Sequence, residues 1–528
     1  MSNLNKGRGE TLQYDEGSSK LGRTAAQTAM LMAILTLISK FFGFIRELIM
    51  ANFYGISYVT DAYVMANTIP NILFSGVFIA VGTAYMPVFS KITEEQGSKA
   101  GSKFTSEILN ILLIVSVIAA IVGLFFSEEI VSIFAPNFPP NTAELTAFFV
   151  KVTFSYAFFT STAAVLESYL QYRGVFLTQI VVGYVLNASI ILVFVISAFT
   201  SHYYLVFGYL LGYILRAVIL LIIAKRRNFE YTPTVRIDES VKKIMIIAIP
   251  VFISSSIQQI NLFVDKSLAS GLPEGSVSAL NYGSVLLSLI TGLTITILST
   301  ILYPKLNQAN SLEDYDRFSH IVETGLNLVA MVALPFTLGI LVYSKQLVQI
   351  VYERGTFDVV ATSFTESAFF YYGMGLLFLS LNDLLVRAYY SMHDTKLPMI
   401  FAGIGVIINV TLNLILVKFM AHNGLALATS IAYMANTVML FIGMRKKYPH
   451  IAVLRSKRKL LKIAFASVVA VGTSYLVYIF VIMPMAHIVY MRMVQLGLAV
   501  AVAGIVYIVL LVLLKVDEIK LVKGIVGK

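Results

Sequence analysis

Long apolar runs alternate with short polar breaks from about residue 27 to residue 514. A helix needs about 20 mostly apolar residues to cross a bilayer. On that rule the runs predict about fourteen spans: 27–52, 61–90, 104–126, 144–171, 175–199, 203–225, 241–266, 276–303, 320–343, 364–391, 397–418, 423–444, 460–482 and 490–514. Lipid leaves only helices or closed barrels to satisfy the backbone, and the chain lacks the ten-residue alternation of barrel strands. The pattern predicts an all-α integral membrane protein.

The breaks carry the orientation signal. The break after the sixth run holds Lys225, Arg226, Arg227, Arg236, Lys242 and Lys243, and the break after the twelfth holds Arg445, Lys446, Lys447, Arg455, Lys457, Arg458 and Lys459. By contrast, 53–60 has no basic residue, and 127–143 has Glu128 and Glu129 but no base. Basic loops face the cytoplasm, so a multi-pass protein with both termini cytoplasmic is expected. Residues 1–23 are polar and mixed in charge, with no apolar core of a signal peptide after them; a disordered cytoplasmic tail is expected.

Composition narrows the chemistry. The chain is 58% hydrophobic and 13% charged, against about 25% charged in soluble domains. Its net charge of +11 suits orienting loops better than nucleic acid, and no nucleic-acid partner is expected. The absence of cysteine excludes disulfides and thiolate metal sites. The six His are scattered, without metal-ligand spacing, and no GxxxxGK[ST] loop is present, so ATP is not the direct energy source. A transporter is expected and not an enzyme, with no metal and no cofactor beyond a coupling Na+ or H+.

A weak repeat divides the chain. "GYVLN" (183–187) echoes "GVIIN" (405–409), "LESYL" (166–170) echoes "VRAYY" (386–390), and Pro87 and Pro304 are expected to end the second and eighth helices. The repeat predicts two six-helix lobes, 24–226 and 227–446, with two helices and a cytoplasmic C-terminus in 447–528; chance similarity between apolar stretches is the alternative. Parallel repeats with a site between the halves are a transporter arrangement.

Charges inside the apolar runs are the candidate site. In "SKFFGFIRELIMANFYG" (39–55), Lys40, Arg46 and Glu47 lie where a charge costs between roughly 2.5 and 17 kcal/mol. Arg46 and Glu47 either snorkel to an interface or line a wet cavity, where Arg suits a bidentate grip on phosphate. Asp61 is either a helix cap, with Thr60, or a functional carboxylate. Asn67 and Asn71 flank Pro70, which predicts a kink and a hinge or substrate wall. Glu167 and Arg387 occupy matching points of the repeat and form a candidate gate pair between lobes; a local ion pair of Arg387 with Asp383 is the other reading. Asp265, Asn409, Asn413 and Thr429 offer one carboxylate among neutral oxygens, which fits a hard monovalent cation, with interhelical Asn hydrogen bonding as the alternative.

Five stretches resemble the MviN/MurJ family of lipid II flippases, in the multidrug/oligosaccharidyl-lipid/polysaccharide exporter superfamily: "SKFFGFIRELIMANFYGISYVTDAY", "IPNILF", "QINLFVDKSLASGLPEGSVSALNY", "YERGTFD" and "LLVRAYYSMHDTKLP". The resemblance implies a two-lobed, fourteen-helix fold in the bacterial cytoplasmic membrane. It implies alternating-access movement of lipid II, an undecaprenyl-pyrophosphate-linked peptidoglycan precursor, to the outer leaflet, driven by an ion gradient or the membrane potential. Partners implied are that lipid, membrane lipids and the cell-wall synthesis machinery. The family's cavity-facing Arg–acid pair is matched by Arg46 and Glu47, and its acid early in the second helix by Asp61. The chain departs from the family after "IPN" and after "NY", where charges usual in the family are replaced by "ILFSGVFIAVGTAY" and "GSVLLSLITG". A flippase for another undecaprenyl-linked saccharide, such as a teichoic acid or exopolysaccharide unit, therefore stays open. So does a non-transporting scaffold for wall synthesis, whereas multidrug efflux would favour an acidic cavity.

Overall fold

The computed structural model describes residues 13–297, 302–451, 457–484 and 492–519. Within them the first lobe comprises α1 (Gln13–Tyr54), α2 (Tyr58–Gln96), α3 (Ser98–Phe125), the short α4 (Ser127–Phe134), α5 (Pro140–Thr153), α6 (Tyr156–Tyr172), α7 (Thr178–Phe199) and α8 (Phe207–Arg226). The second comprises α9 (Glu239–Ala269), α10 (Ser276–Ile297), α11 (Tyr303–Ser311), α12 (Tyr315–Tyr352), α13 (Val359–Met374), α14 (Leu376–Ser391), α15 (Lys396–Met420) and α16 (His422–Lys447). Two appended helices follow, α17 (Lys457–Val477) and α18 (Arg492–Leu513).

Among the described residues, nine helices are individually long and apolar enough to cross a membrane. Two bent pairs raise the number to eleven: α5 with α6 at 41° and α13 with α14 at 44°. These pairs stand at the fourth and tenth expected spans, one in each lobe, while α1, α9 and α10 stand at the first, seventh and eighth. Outward faces are apolar, as at Phe199, Phe419 and Ile505, where lipid replaces water as the surrounding solvent.

Local chemistry explains the helix starts. Ser57 caps α2, its side chain accepting from Thr60 N, and Asp238, Asp314 and Asp358 cap α9, α12 and α13 in the same way. Several expectations are corrected. Neither Thr60 nor Asp61 caps α2. Pro87 does not end α2, which runs unbroken through Pro70 and Pro87 to Gln96, and Pro304 stands at the start of α11. Residues 13–23 of the expected disordered tail belong to α1; 1–12, like 520–528, lie outside the described residues. The ninth span, expected to stop at 343, meets a break there: Tyr343 leaves helical geometry (φ −118°, ψ 17°), and α12 resumes to Tyr352.

Each lobe has its own core. Tyr85, Phe89 and Tyr169 centre one cluster of the first lobe and Tyr63, Phe149 and Phe194 another. Leu326, Tyr389 and Leu440 centre the second lobe. The lobes are joined in more than one place: Val241 and Ile244 of α9 enter the Tyr85–Phe89–Tyr169 cluster, Val64 and Phe138 pack against Ala269 and Leu280, and Ala51 of α1 packs among Tyr282, Tyr352 and Phe357. The polar interior lies between these cores.

Candidate functional site

A cavity of about 470 Å³ opens in the first lobe, lined by Arg46, Glu47, Tyr63, Asn67, Asn71, Tyr156, Tyr209 and Tyr213. Arg46 and Glu47 do not snorkel outward. Arg46 Nη2 and Nε donate to Glu47 Oε1 at 2.6 and 3.2 Å, and Nη1 donates to Asn187 Oδ1 at 3.4 Å. The guanidinium carbon lies 5.4 Å from the Tyr209 ring centroid, a cation–π distance. Asn187 reaches this corner beside Gly43, where a Cβ would lie 3.8 Å from Asn187 Oδ1, an ordinary contact. The ion pair lowers the cost of keeping Arg46 away from bulk water, and the guanidinium stays on the cavity wall, where an anion can reach it. Glu47 Oε2 also accepts from Asn281 Nδ2 of the second lobe at 3.4 Å. Lys40 is not on this wall. It sits farther along α1, where its Nζ would be 3.3 Å from a Cβ added to Gly292 of α10.

Beyond Glu47 the lobes are latched. Asp61 Oδ2 accepts from Gly275 N and Oδ1 from Ser278 N, both at 2.7 Å. The acid of the first lobe thus caps the N-terminus of α10 in the second, where free amides and the helix dipole favour a carboxylate. Tyr58 N donates to Glu274 Oε1 at 2.8 Å, and Thr356 N donates to Asn52 O at 2.9 Å. Two glycines permit the approach. Gly275 has φ +87° and faces Ile56; Gly355 has φ +57°, and a Cβ there would be 2.2 Å from Asn52 O. Both positions combine left-handed backbone with close contact.

The second lobe holds a cavity of about 700 Å³, lined by Asn261, Asn382, Asp383, Asn409, Thr429, Tyr433 and Asn436 among others. Ile79 of α2 lines both cavities, so a first arm in the first lobe and a second arm in the second border the same side chain at the lobe interface. The candidate cation set is brought together by α9, α15 and α16. Asn413 Nδ2 donates to the Asp265 carboxylate, and the Asn409 side chain is 2.7 Å from Asn413 and 3.3 Å from Thr429. Lys266 interacts electrostatically with both Asp265 and Asp61.

The Glu167–Arg387 gate pair is not formed. Glu167 Oε1 accepts from Arg216 Nη2 and Nε of α8 at 2.6 and 2.9 Å, a pairing inside the first lobe, and Arg387 lies over the Tyr303 ring at 5.9 Å. Matching repeat positions put the two residues in different lobes, but each finds its partner in its own. Arg216 could have been found as the lone charge in "GYLLGYILRAVILLII". Tyr209 and Asn281 carried no signal beyond being polar-tipped residues in apolar runs, and Asn187 carried only its place at the end of the repeated "GYVLN". Outside the spans, Asp394 is held in the α14–α15 turn by Lys447 Nζ (2.8 Å), Tyr448 OH (3.1 Å) and Leu397 N (3.3 Å). Burial alone would raise its carboxyl; those hydrogen bonds outweigh it and hold it below its usual value.

Two lobes with a polar cavity between them and a latch at one end define a polytopic membrane transporter, and solved structures show the same fold. One titled "Lipid II flippase MurJ, inward closed conformation" superposes with a TM-score of 0.80 at 24% identity, covering 93% of this chain and 100% of that one. An inward-facing multidrug resistance MATE family transporter gives 0.65 at 13% identity, over 82% of this chain and 100% of that one. Residues 50–495 match the family model described as "Lipid II flippase MurJ". The "Probable lipid II flippase MurJ" of Rickettsia prowazekii is 29% identical over 433 residues, 80% of this chain and 85% of that protein. That of Rhizobium meliloti is 29% identical over 418 residues, 77% and 78% of the two. The chain belongs to the MurJ lipid II flippase family.

Proposed function

We propose that this protein flips lipid II across the bacterial cytoplasmic membrane by alternating access between its two lobes, working beside the machinery that makes and uses its substrate. The observation that carries the reading is Arg46, a guanidinium kept at membrane depth on the wall of the first arm by Glu47 and Asn187. A charge there is costly, and a pyrophosphate that must leave water is the ligand that repays it with paired hydrogen bonds. The tyrosine wall and Asn67 and Asn71 offer the sugars further polar tips and ring faces.

The latched arrangement is the state open to the cytoplasm, in keeping with an orientation in which both termini are cytoplasmic. Asp61 closes the periplasmic end, and release of its cap on α10 lets the lobes rock apart there. The Asp265, Asn409, Asn413 and Thr429 set takes the coupling cation, and Lys266 links that set to Asp61 through charge. The direct test is complementation. The chain supplied to a bacterium depleted of its own lipid II flippase should restore growth and surface exposure of the precursor. Failure by a protein that is made and inserted, with rescue instead of a strain lacking a teichoic acid or exopolysaccharide flippase, would overturn the substrate assignment.

A further inference from the structure

The helices α17 and α18 stand outside the two-lobe repeat and pack along α12. Their contacts fall on both sides of the α12 break at Tyr343. Before it, Leu328, Ala330 and Met331 pack with Ile463, Ala466 and Leu511, and Tyr507 OH donates to Met331 O at 2.7 Å. At the break, Ser474 Oγ donates its proton to Ala499 O at 2.7 Å, and so accepts from Tyr343 OH at 2.8 Å. Past it, Leu347 and Ile350 lie against the cluster of Tyr343, Ile482, Leu496 and Ala499. Leu347 also lies against the cluster in which Ala51 of the first lobe meets Tyr352 and Phe357. Packing is thus continuous from α18, through the outer segment of α12, to the end of α1.

An ion pair ties α18 to the latch itself. Arg492 Nη1 donates to Glu353 Oε1 at 2.7 Å, and Thr362 Oγ1 of α13 donates to Glu353 Oε2 at 2.9 Å. Burial alone would raise the Glu353 carboxyl; these hydrogen bonds outweigh it and hold it below its usual value. Glu353 opens the turn in which Gly355 and Thr356 meet Asn52 of the first lobe. Its neighbour Arg354 turns back to Ile350 O and Val351 O, which leaves Glu353 to Arg492. We propose that α17 and α18 brace the latched end, and that Arg492 is a positioning residue that holds the 353–358 turn against Asn52. The inference rests on the reading of that end as the gate of alternating access. The movable part is the segment of α12 beyond Tyr343, where the break uncouples it from the rest of the helix. A helix pair outside both lobes biases the gate in this way without touching either cavity.

The test uses the full-length chain in membranes with one added cysteine, Ile56→Cys, beside Gly275 in the latch. The Arg492 side chain is 62% exposed, so its ion pair carries a modest weight, and Arg492→Ala should raise maleimide reactivity at that cysteine about two- to five-fold. Arg492→Lys should stay near the parent rate, because the bond to Glu353 uses one N–H, which an ammonium also supplies. Glu353→Gln should raise the rate about as much as Arg492→Ala, and the two together no more than either alone. An unchanged rate in Arg492→Ala, or effects of the two substitutions that multiply, overturns the brace. Asp61→Asn separates this result from the gate reading. A rise there with none in Arg492→Ala removes the brace and leaves the gate, whereas no rise in either removes the gate itself.

Discussion

On the cavity wall of the first lobe both charges, Arg46 and Glu47, are paired with each other; on that of the second, the carboxylate of Asp383 has no partner among the described residues. The two lobes share a plan. Each has a bent helix pair at its fourth position, at 41° and 44°, and each places an Asn at the matching point of its fifth. In the first lobe that residue, Asn187, supports Arg46; in the second, Asn409 joins Asn413 and Thr429 beside Asp265. One scaffold therefore carries two electrostatic designs: a compensated cation that presents a guanidinium to anions, and a carboxylate-and-amide wall that suits cations and amides. The repeat sets where helices run and bend. A few side chains set which sign of charge each half receives.

The largest effect that would break this contrast is expected at Arg46. Arg46→Ala should lower flipping by about 100-fold or more, because it removes the phosphate grip and strands Glu47. Growth of a flippase-depleted strain and membrane insertion of the variant are the two readouts. Arg46→Lys should recover only part, since Lys lacks the planar fork; full growth on Arg46→Ala would dissolve the distinction between the lobes. Next in size, Asn413→Ala should abolish the dependence of flipping on an imposed cation gradient. Vesicles in which the unmodified chain flips at full rate after sodium, proton and voltage gradients are all collapsed would contradict a cation role for the second lobe.

A smaller change is expected at the latch. Asp61→Asn keeps one acceptor oxygen but turns its NH2 toward the other backbone N–H and loses the charge facing the α10 dipole, a loss of about 2 kcal/mol from the latched state. The chain has no cysteine, so a single Ile56→Cys can be labelled cleanly. Its maleimide reactivity should rise several-fold when Asp61→Asn is added, and no change would show that the latch does not hold the lobes. The smallest effect concerns Asp394. Its folded pKa is depressed, so its clamp contributes stability above the ordinary carboxylate range and loses it as the pH falls through the folded value. Acidification over that window should lower the thermal midpoint of the unmodified chain by about 1 °C more than that of Asp394→Asn.

Much of the architecture was legible because bilayer thickness imposes a length on every apolar run. The bends were not, because a 41° break between Thr153 and Tyr156 needs no proline or charge to announce it. Pro87, which looked like a stop, sits inside a continuous helix that tolerates it. The meeting of Asp265, Asn409, Asn413 and Thr429 was readable from chemistry, since they are conspicuous polar groups of three apolar runs, and the contacts found among them are interhelical hydrogen bonds. The gate pair is not made in this arrangement of the lobes, since repeat symmetry gives Glu167 and Arg387 equivalent positions and not contact. The partner of Glu167 is a residue of α8 that follows it by 49 positions, and only packing reveals it. Asp61 was legible as important and illegible in role, for its partners are main-chain amides that every sequence has.

That last point has a genetic consequence. One half of the latch is encoded by a side chain, Asp61, and the other by backbone N–H groups at 275 and 278; any amino acid except proline provides the second, while the first also needs the left-handed backbone that glycine gives at 275. Drift in side-chain identity at Ser276 leaves both amides in place, so the two halves need not coevolve there. Suppressors of an Asp61 variant should accordingly be rare at the start of α10 and should arise at sites that bias lobe closure by other means, whereas Ser278→Pro should reproduce the Asp61 phenotype from the opposite side.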